Sequence, residues 1–196
     1  MSYDTFIDII YDYWFGYKPD FERWFKSGSL YDTHIINKFK SILTAGENGF
    51  LEHWGNTKKG FISYIILMDQ FSRHIYRDNN KSYKNDPTSL LFMRKYMGKY
   101  IDELSAIELL FTLMPFQHSE NIHDQIDGVY ILELLLKSTT VKSEVAILNE
   151  ALTHQKGHYE VIKKFNRFPK RNKFYSNRTN TKEEDSYIKS SKNVPY

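Results

Sequence analysis

The chain has 196 residues, a length that suits one ordinary domain or two small ones. Hydrophobic residues make up 41% and aromatic residues 16%, enough to bury a sizeable core, so wholesale disorder is excluded. The longest apolar run, Tyr64 to Met68, is far short of the ~18 residues of a membrane span, and the net charge of +3 is too small to dictate a nucleic-acid partner.

The absence of cysteine removes disulfides, thiolate nucleophiles and Cys-based zinc sites together, and it fits a cytoplasmic location. The opening MSYDTFIDII has no basic stretch ahead of an apolar one, so no secretory signal is expected. From there the pattern is helical throughout. Asp4 or Thr5 can cap a first helix whose Phe6, Ile9, Ile10, Tyr13 and Trp14 share one face, with Gly16 and Pro19 to stop it. A short segment with Phe21, Trp24 and Phe25 follows and closes at Ser27-Gly28-Ser29. The stripe of Ile35, Ile36, Phe39, Ile42 and Leu43 predicts a helix over 30–44, ended by Gly46. After a brief amphipathic turn around Phe50, Leu51 and Trp54, Thr57 caps a helix running to about Tyr76. Phe61, Ile62, Ile65, Ile66 and Met68 leave that helix little polar face, which marks it as central.

Further helices are expected over 87–100, opened by Pro87, and over 103–114, halted by Pro115. Two more run from near His118 to Leu136 and from near Val141 to Phe165. The stretch 166–196 has Pro169 and few aliphatic residues, so it reads as an extended tail wrapped on the body, with a short helix near 181–189. Val- or Thr-rich alternation with hairpin turns does not occur. The expected fold is all-α: one domain over 1–196, about eight helices in an antiparallel array, with 166–196 as a docked C-terminal tail.

Four groups of residues have chemical potential. The string Asp69-Gln70-Phe71-Ser72-Arg73-His74-Ile75-Tyr76-Arg77 closes the most apolar helix, and Asp69, Arg73 and Arg77 at i, i+4 and i+8 fall on one face. It reads either as a basic helix end that complements the dipole or as an anion-binding wall. Met114-Pro115-Phe116-Gln117-His118-Ser119-Glu120 breaks one helix and opens the next, with Ser119 as a plausible N-cap and Glu120 and Asp124 complementing the dipole. Its other reading is acid–base work by His118, positioned by a carboxylate such as Glu120. Glu150, His154 and His158, four residues apart on one helical face, read either as a metal-chelating set, though without the His-Glu-x-x-His arrangement of metalloproteases, or as packing and surface residues, the favoured reading. Lastly, 163–178 holds seven Lys or Arg and no acid, which leaves the rest of the chain at −4. Aromatic residues interleave these charges, so the segment either docks on an acidic body or reads nucleic acid by phosphate contacts and stacking.

Taken together, the strings resemble the bacterial domain-of-unknown-function family 924. They are Tyr13-Trp14-Phe15-Gly16, Arg23-Trp24-Phe25, the segment from Met68 to Arg77, the segment from Met114 to Glu120, His158, and Arg167-Phe168-Pro169-Lys170-Arg171-Asn172. The resemblance spans 7–188 and implies a tetratricopeptide-type helical fold. This chain departs from the family pattern at Ser72-Arg73-His74, which stands for Pro-Arg-Asn, at Gln117 for Glu and at Lys170 for His. A mechanism needing a carboxylate at 117 or an imidazole at 170 is therefore disfavoured.

So many polar types beside Trp, Phe and Pro suggest one pocket assembled from distant segments. The leading expectation is a site for a small carboxylate or phosphate ligand, with Asp69, Gln70, Arg73, Arg77, His158, Arg167, Arg171 and Asn172 as binding residues. His118, with Glu120, would be the acid–base pair if chemistry occurs. No metal, cofactor or membrane partner is expected. The runner-up is a non-catalytic, tetratricopeptide-like adaptor holding a peptide or protein, and RNA binding through 163–178 is a third reading.

Overall fold

The computed structural model describes residues 2–16, 24 and 29–190. Pro19, Phe21, Arg23, Phe25, Ser27 and Gly28, to which the sequence assigns a connecting segment, lie outside these. Among the described residues all regular structure is helical, so the fold is all-α. The chain divides into two units, Met1–Pro115 and Phe116–Tyr196.

The first unit opens with α1 (Thr5–Phe15), which buries Ile10 and Trp14. Asp4 precedes it without making a side-chain cap; its carboxylate instead accepts from the Trp54 indole at 3.1 Å and bonds to His53 at 2.6 Å. The Trp14 ring meets Phe111 and Phe71 edge-on at 5.3 and 5.6 Å, and its carbonyl accepts the Trp24 indole N–H at 2.8 Å. The next helix, α2 (Ser29–Glu47), outruns its expected end. Gly46 lies inside it, where a Cβ would stand 2.8 Å from Met68 Sδ, so this glycine serves close packing. The stop comes at Gly49, whose φ of +80° is easy only for glycine.

Thr57 caps α3 (Lys58–Ile65) as expected, its hydroxyl accepting the Gly60 N–H at 3.1 Å. Every residue of α3 from Gly60 onward is buried, which fits a central helix. The single helix expected to continue to Tyr76 is interrupted: Ile66–Phe71 is π-helical, all six residues are buried, and a short α4 (Ser72–Ile75) follows. The unit continues through α5 (Asp86–Tyr100), with proline in its first turn, and α6 (Ala106–Thr112). Ser105 and Glu108 form a capping box that starts α6 later than the 103 expected from periodicity.

A short α7 (Met114–His118) precedes the helices of the second unit. These are α8 (Ile122–Ser138) and α9 (Lys142–Phe165), which pack on each other as an antiparallel hairpin. The N-cap of α8 is Asn121, whose Oδ1 accepts the His123 N–H at 2.9 Å. Ser119, the expected cap, instead donates to Asp124 Oδ2 at 2.6 Å. Left-handed Asn166 ends α9. Fully buried Phe168 then packs with Val161 and Ile162, covered by Ile122, Phe165 and Tyr187, and this cluster anchors the tail within its unit. A 3-10 turn, Pro169–Phe174, and α10 (Lys182–Ser190) complete it.

Candidate functional site

The first unit gathers its charges around the π-helical turn. Asp69 is fully buried and lies 3.6 Å from the Arg73 guanidinium, which reaches Asp86 on α5 at 2.9 Å. Gln70 donates to Asp69 Oδ2 at 2.6 Å and also contacts Met114 Sδ at 3.1 Å. Arg73 thus sits between two carboxylates, and Asp86 is a member that the local pattern does not reveal.

Arg77 does not join them. Its guanidinium forks onto Asp32 of α2, whose Oδ1 also bonds His74 Nδ1 at 2.8 Å. Burial pushes the His74 imidazole below its ordinary pKa, Arg77 and Arg73 push the same way, and Asp32 opposes them. The single cationic face expected from Asp69, Arg73 and Arg77 is therefore two separate ion clusters. Asp69 and Arg73, four apart, stay in contact, while Arg77 lies past the end of α4 at Ile75 and so leaves their helical face.

In the second unit the tail brings its own charges together. Phe168 donates its N–H to Glu120 Oε1 at 2.9 Å, and Arg178 forks onto both Glu120 oxygens at 2.9 and 2.7 Å. Burial alone would raise the Glu120 carboxyl; the Arg178 fork and the Phe168 N–H bring it below its ordinary value. Arg167 takes a different acid. It donates to both oxygens of Glu184 at 2.7 and 2.9 Å. Asn172 donates to Asn180 at 2.8 Å and to Glu184 at 3.3 Å. The Phe168 ring carries the Arg171 guanidinium at 4.5 Å and the edge of His158 at 5.6 Å. Arg171, Asn172, His158 and His118 are all buried.

Glu184 and Arg178 escaped the sequence reading, although Thr181 and Glu184 at i and i+3 spell a capping box and bond as one. His154 and Glu150 are exposed while His158 is buried, so the three do not form one site. Among the described residues no three His, Asp or Glu side chains are grouped to hold a metal, and no helix is long and apolar enough to cross a membrane.

The Arg167 guanidinium holds the Glu184 carboxyl down to about 2, against the upward push of burial. A depressed carboxylate contributes stability above its ordinary value of 4.5 and loses it as the pH falls toward 2. Pepsin should therefore cut 166–190 progressively faster across that window. Glu184→Gln should loosen the same segment to thermolysin already at neutral pH. Equal cutting of variant and wild type would show that this pair does not hold the tail.

An all-helical fold whose arginines are drawn into buried carboxylate clusters narrows the chain to a class of helical proteins. The family model for bacterial proteins of unknown function, DUF924, matches residues 10–192, and the chain belongs to that family. A solved protein of unknown function from Agrobacterium tumefaciens is similar at 24% identity, with a TM-score of 0.82 over 95% of this chain and 98% of that one. That likeness establishes the fold alone. No curated protein matches the chain.

Proposed function

We propose that the chain binds a small anionic ligand, a carboxylate or phosphate, through the second unit. The observation that carries this reading is Arg171, a guanidinium left only 4% exposed and laid over the Phe168 ring. A buried guanidinium on an aromatic platform is a recurrent arrangement for planar anion recognition. Arg73, Arg77, Arg167 and Arg178 hold carboxylates of their own units and serve as framework in this reading. His158 and Asn172 flank Arg171 in this reading, and His118 is the acid–base residue if a reaction follows binding. Glu120 is then a support that Arg178 and the Phe168 amide occupy, not a free base. Asp69, Gln70, Arg73 and Arg77 form the polar framework of the first unit.

The test is a thermal-shift and calorimetric titration of the purified chain with inorganic phosphate and with succinate. At least one should raise the unfolding midpoint, and Arg171→Gln should abolish the rise while Arg77→Gln keeps it. No response to either probe at millimolar concentration would sink the reading.

One observation favours the adaptor reading. Ile126, Tyr130 and Leu134 stand exposed at i, i+4 and i+8 along α8. Beside Ile126 and Tyr130 lies a groove of about 410 Å³ that is also lined by Val129 and Tyr159. The rim charges are paired, Glu133 with Lys156 at 2.8 Å and Glu160 with Lys163, outside the groove, at 3.9 Å. The occupant in this reading is a partner helix with a matching apolar stripe, bound through apolar contact.

A further inference from the structure

Two buried amides of the second unit take no part in the arginine clusters. Gln125 on α8 and Gln155 on α9 are both fully buried. Gln125 Nε2 donates to three carbonyls, Phe116 O at 3.0 Å, Gln117 O at 2.9 Å and Ser119 O at 2.7 Å. Because all three are acceptors, that end of the amide must be its NH2. Gln125 Oε1 is then an acceptor, and it receives Gln155 Nε2 at 2.7 Å. The orientation of the second amide follows from the first, and neither can flip without setting acceptor against acceptor.

The three carbonyls matter for where they lie. Phe116, Gln117 and Ser119 belong to the end of α7 and the turn after it, where the helix's own ladder runs out and the Phe116 carbonyl takes the backbone N–H of Ser119 at 3.3 Å. Gln117 and Ser119 flank His118 in the chain. A single side chain thus pins the backbone on both sides of a buried imidazole. Gly128, one turn after Gln125 on α8, makes room for the arrangement. A Cβ there would stand 2.7 Å from the Gln155 amide and 2.8 Å from Phe116 Cβ.

We infer that Gln155 and Gln125 form a relay that positions His118. The inference rests on the reading of His118 as the acid–base residue of the anion site. Gln155 sets the Gln125 amide, and Gln125 sets the peptide units that aim the imidazole. Both are positioning residues, because neither bonds to the imidazole itself.

The experiment is NMR of the full chain with ¹⁵N-labelled histidine, which reports ring tautomer and hydrogen bonding. The wild type is compared with Gln155→Met, which removes the donor at similar volume, and with Gln155→Glu, which sets a carboxylate against Gln125 Oε1. The expected result is a displaced His118 ring signal in Gln155→Met and a larger displacement in Gln155→Glu, with the exposed His154 signal unmoved. A lowered unfolding midpoint with an unchanged His118 signal would reduce the pair to packing and overturn the inference. Should either variant fail to fold, the wild type still decides. The Gln125 side-chain NH2 protons should exchange with water far more slowly than those of a free glutamine, and fast exchange would overturn the relay. The anion reading is judged separately by adding inorganic phosphate to the wild type. Phosphate binding with an unmoved His118 signal in Gln155→Met sinks the relay alone. A moved signal without phosphate binding supports the relay and sinks the anion reading.

Discussion

Replacing Trp14 by alanine is expected to destabilise the first unit by roughly 3–5 kcal/mol, the cost typical of truncating a fully buried aromatic ring. Trp14 has no exposed surface, and Phe71, Phe111, Trp24 and His74 surround it. None of these rings can collapse into the space without breaking its own contacts. A second substitution separates volume from polarity. Among the described residues the Trp14 indole N–H has no acceptor, and an unsatisfied buried donor costs about 1–3 kcal/mol. Trp14→Phe removes that donor while keeping most of the ring contacts, so its loss should be clearly smaller than that of Trp14→Ala. Urea unfolding of both variants gives the comparison. Equal losses would mean that a phenyl ring recovers none of the packing at this position.

Arg73→Leu should produce a loss of similar size, about 3–5 kcal/mol, because it takes one guanidinium from two buried carboxylates at once. Asp69 is fully buried and Asp86 nearly so. Neither sits at a surface where water could replace the lost charge. Arg77→Leu offers the contrast. Arg77 is about one-third exposed and its partner Asp32 keeps His74, so that variant should lose much less. The check is the difference in unfolding free energy between the two leucine variants at neutral pH. Similar small losses would show that Arg73 is solvated in solution and that Asp69 does not depend on it.

Much of this architecture is legible in the sequence because it rests on local periodicity. The stripe Ile35, Phe39, Ile42, Leu43 is buried as its spacing requires, and Thr57 caps the helix it was expected to cap. Phe168 and Pro169 give the tail away, since a basic segment with such residues has something to bury. Pairing is another matter. Arg167 finds Glu184 in the following helix, while Glu120 finds Arg178 across 58 positions of sequence. Nothing in the local spacing of either arginine chooses between those two acids. The choice is made by the path of the chain after Phe168. Gly46 is ambiguous for a related reason: a glycine that admits a neighbouring Met68 looks, in sequence, like one that ends a helix. The two Ser/Thr-x-x-Glu caps at Ser105 and Thr181 were visible signals that periodicity alone passes over.

The π-helical stretch from Ile66 to Phe71 divides a nearly continuous rod into two halves with independent angular phase. Upstream, α3 buries Phe61, Ile62 and Ile65 in the core. Downstream, Ser72, Arg73 and His74 meet polar partners. Wound as an ordinary α-helix, the same residues would carry the downstream half about 100° away from its present position. Arg73, His74 and Arg77 would swing together away from Asp86 and Asp32. The extra residue therefore acts as an indexing pin. It lets one helix serve the core with its first half and aim charges with its second.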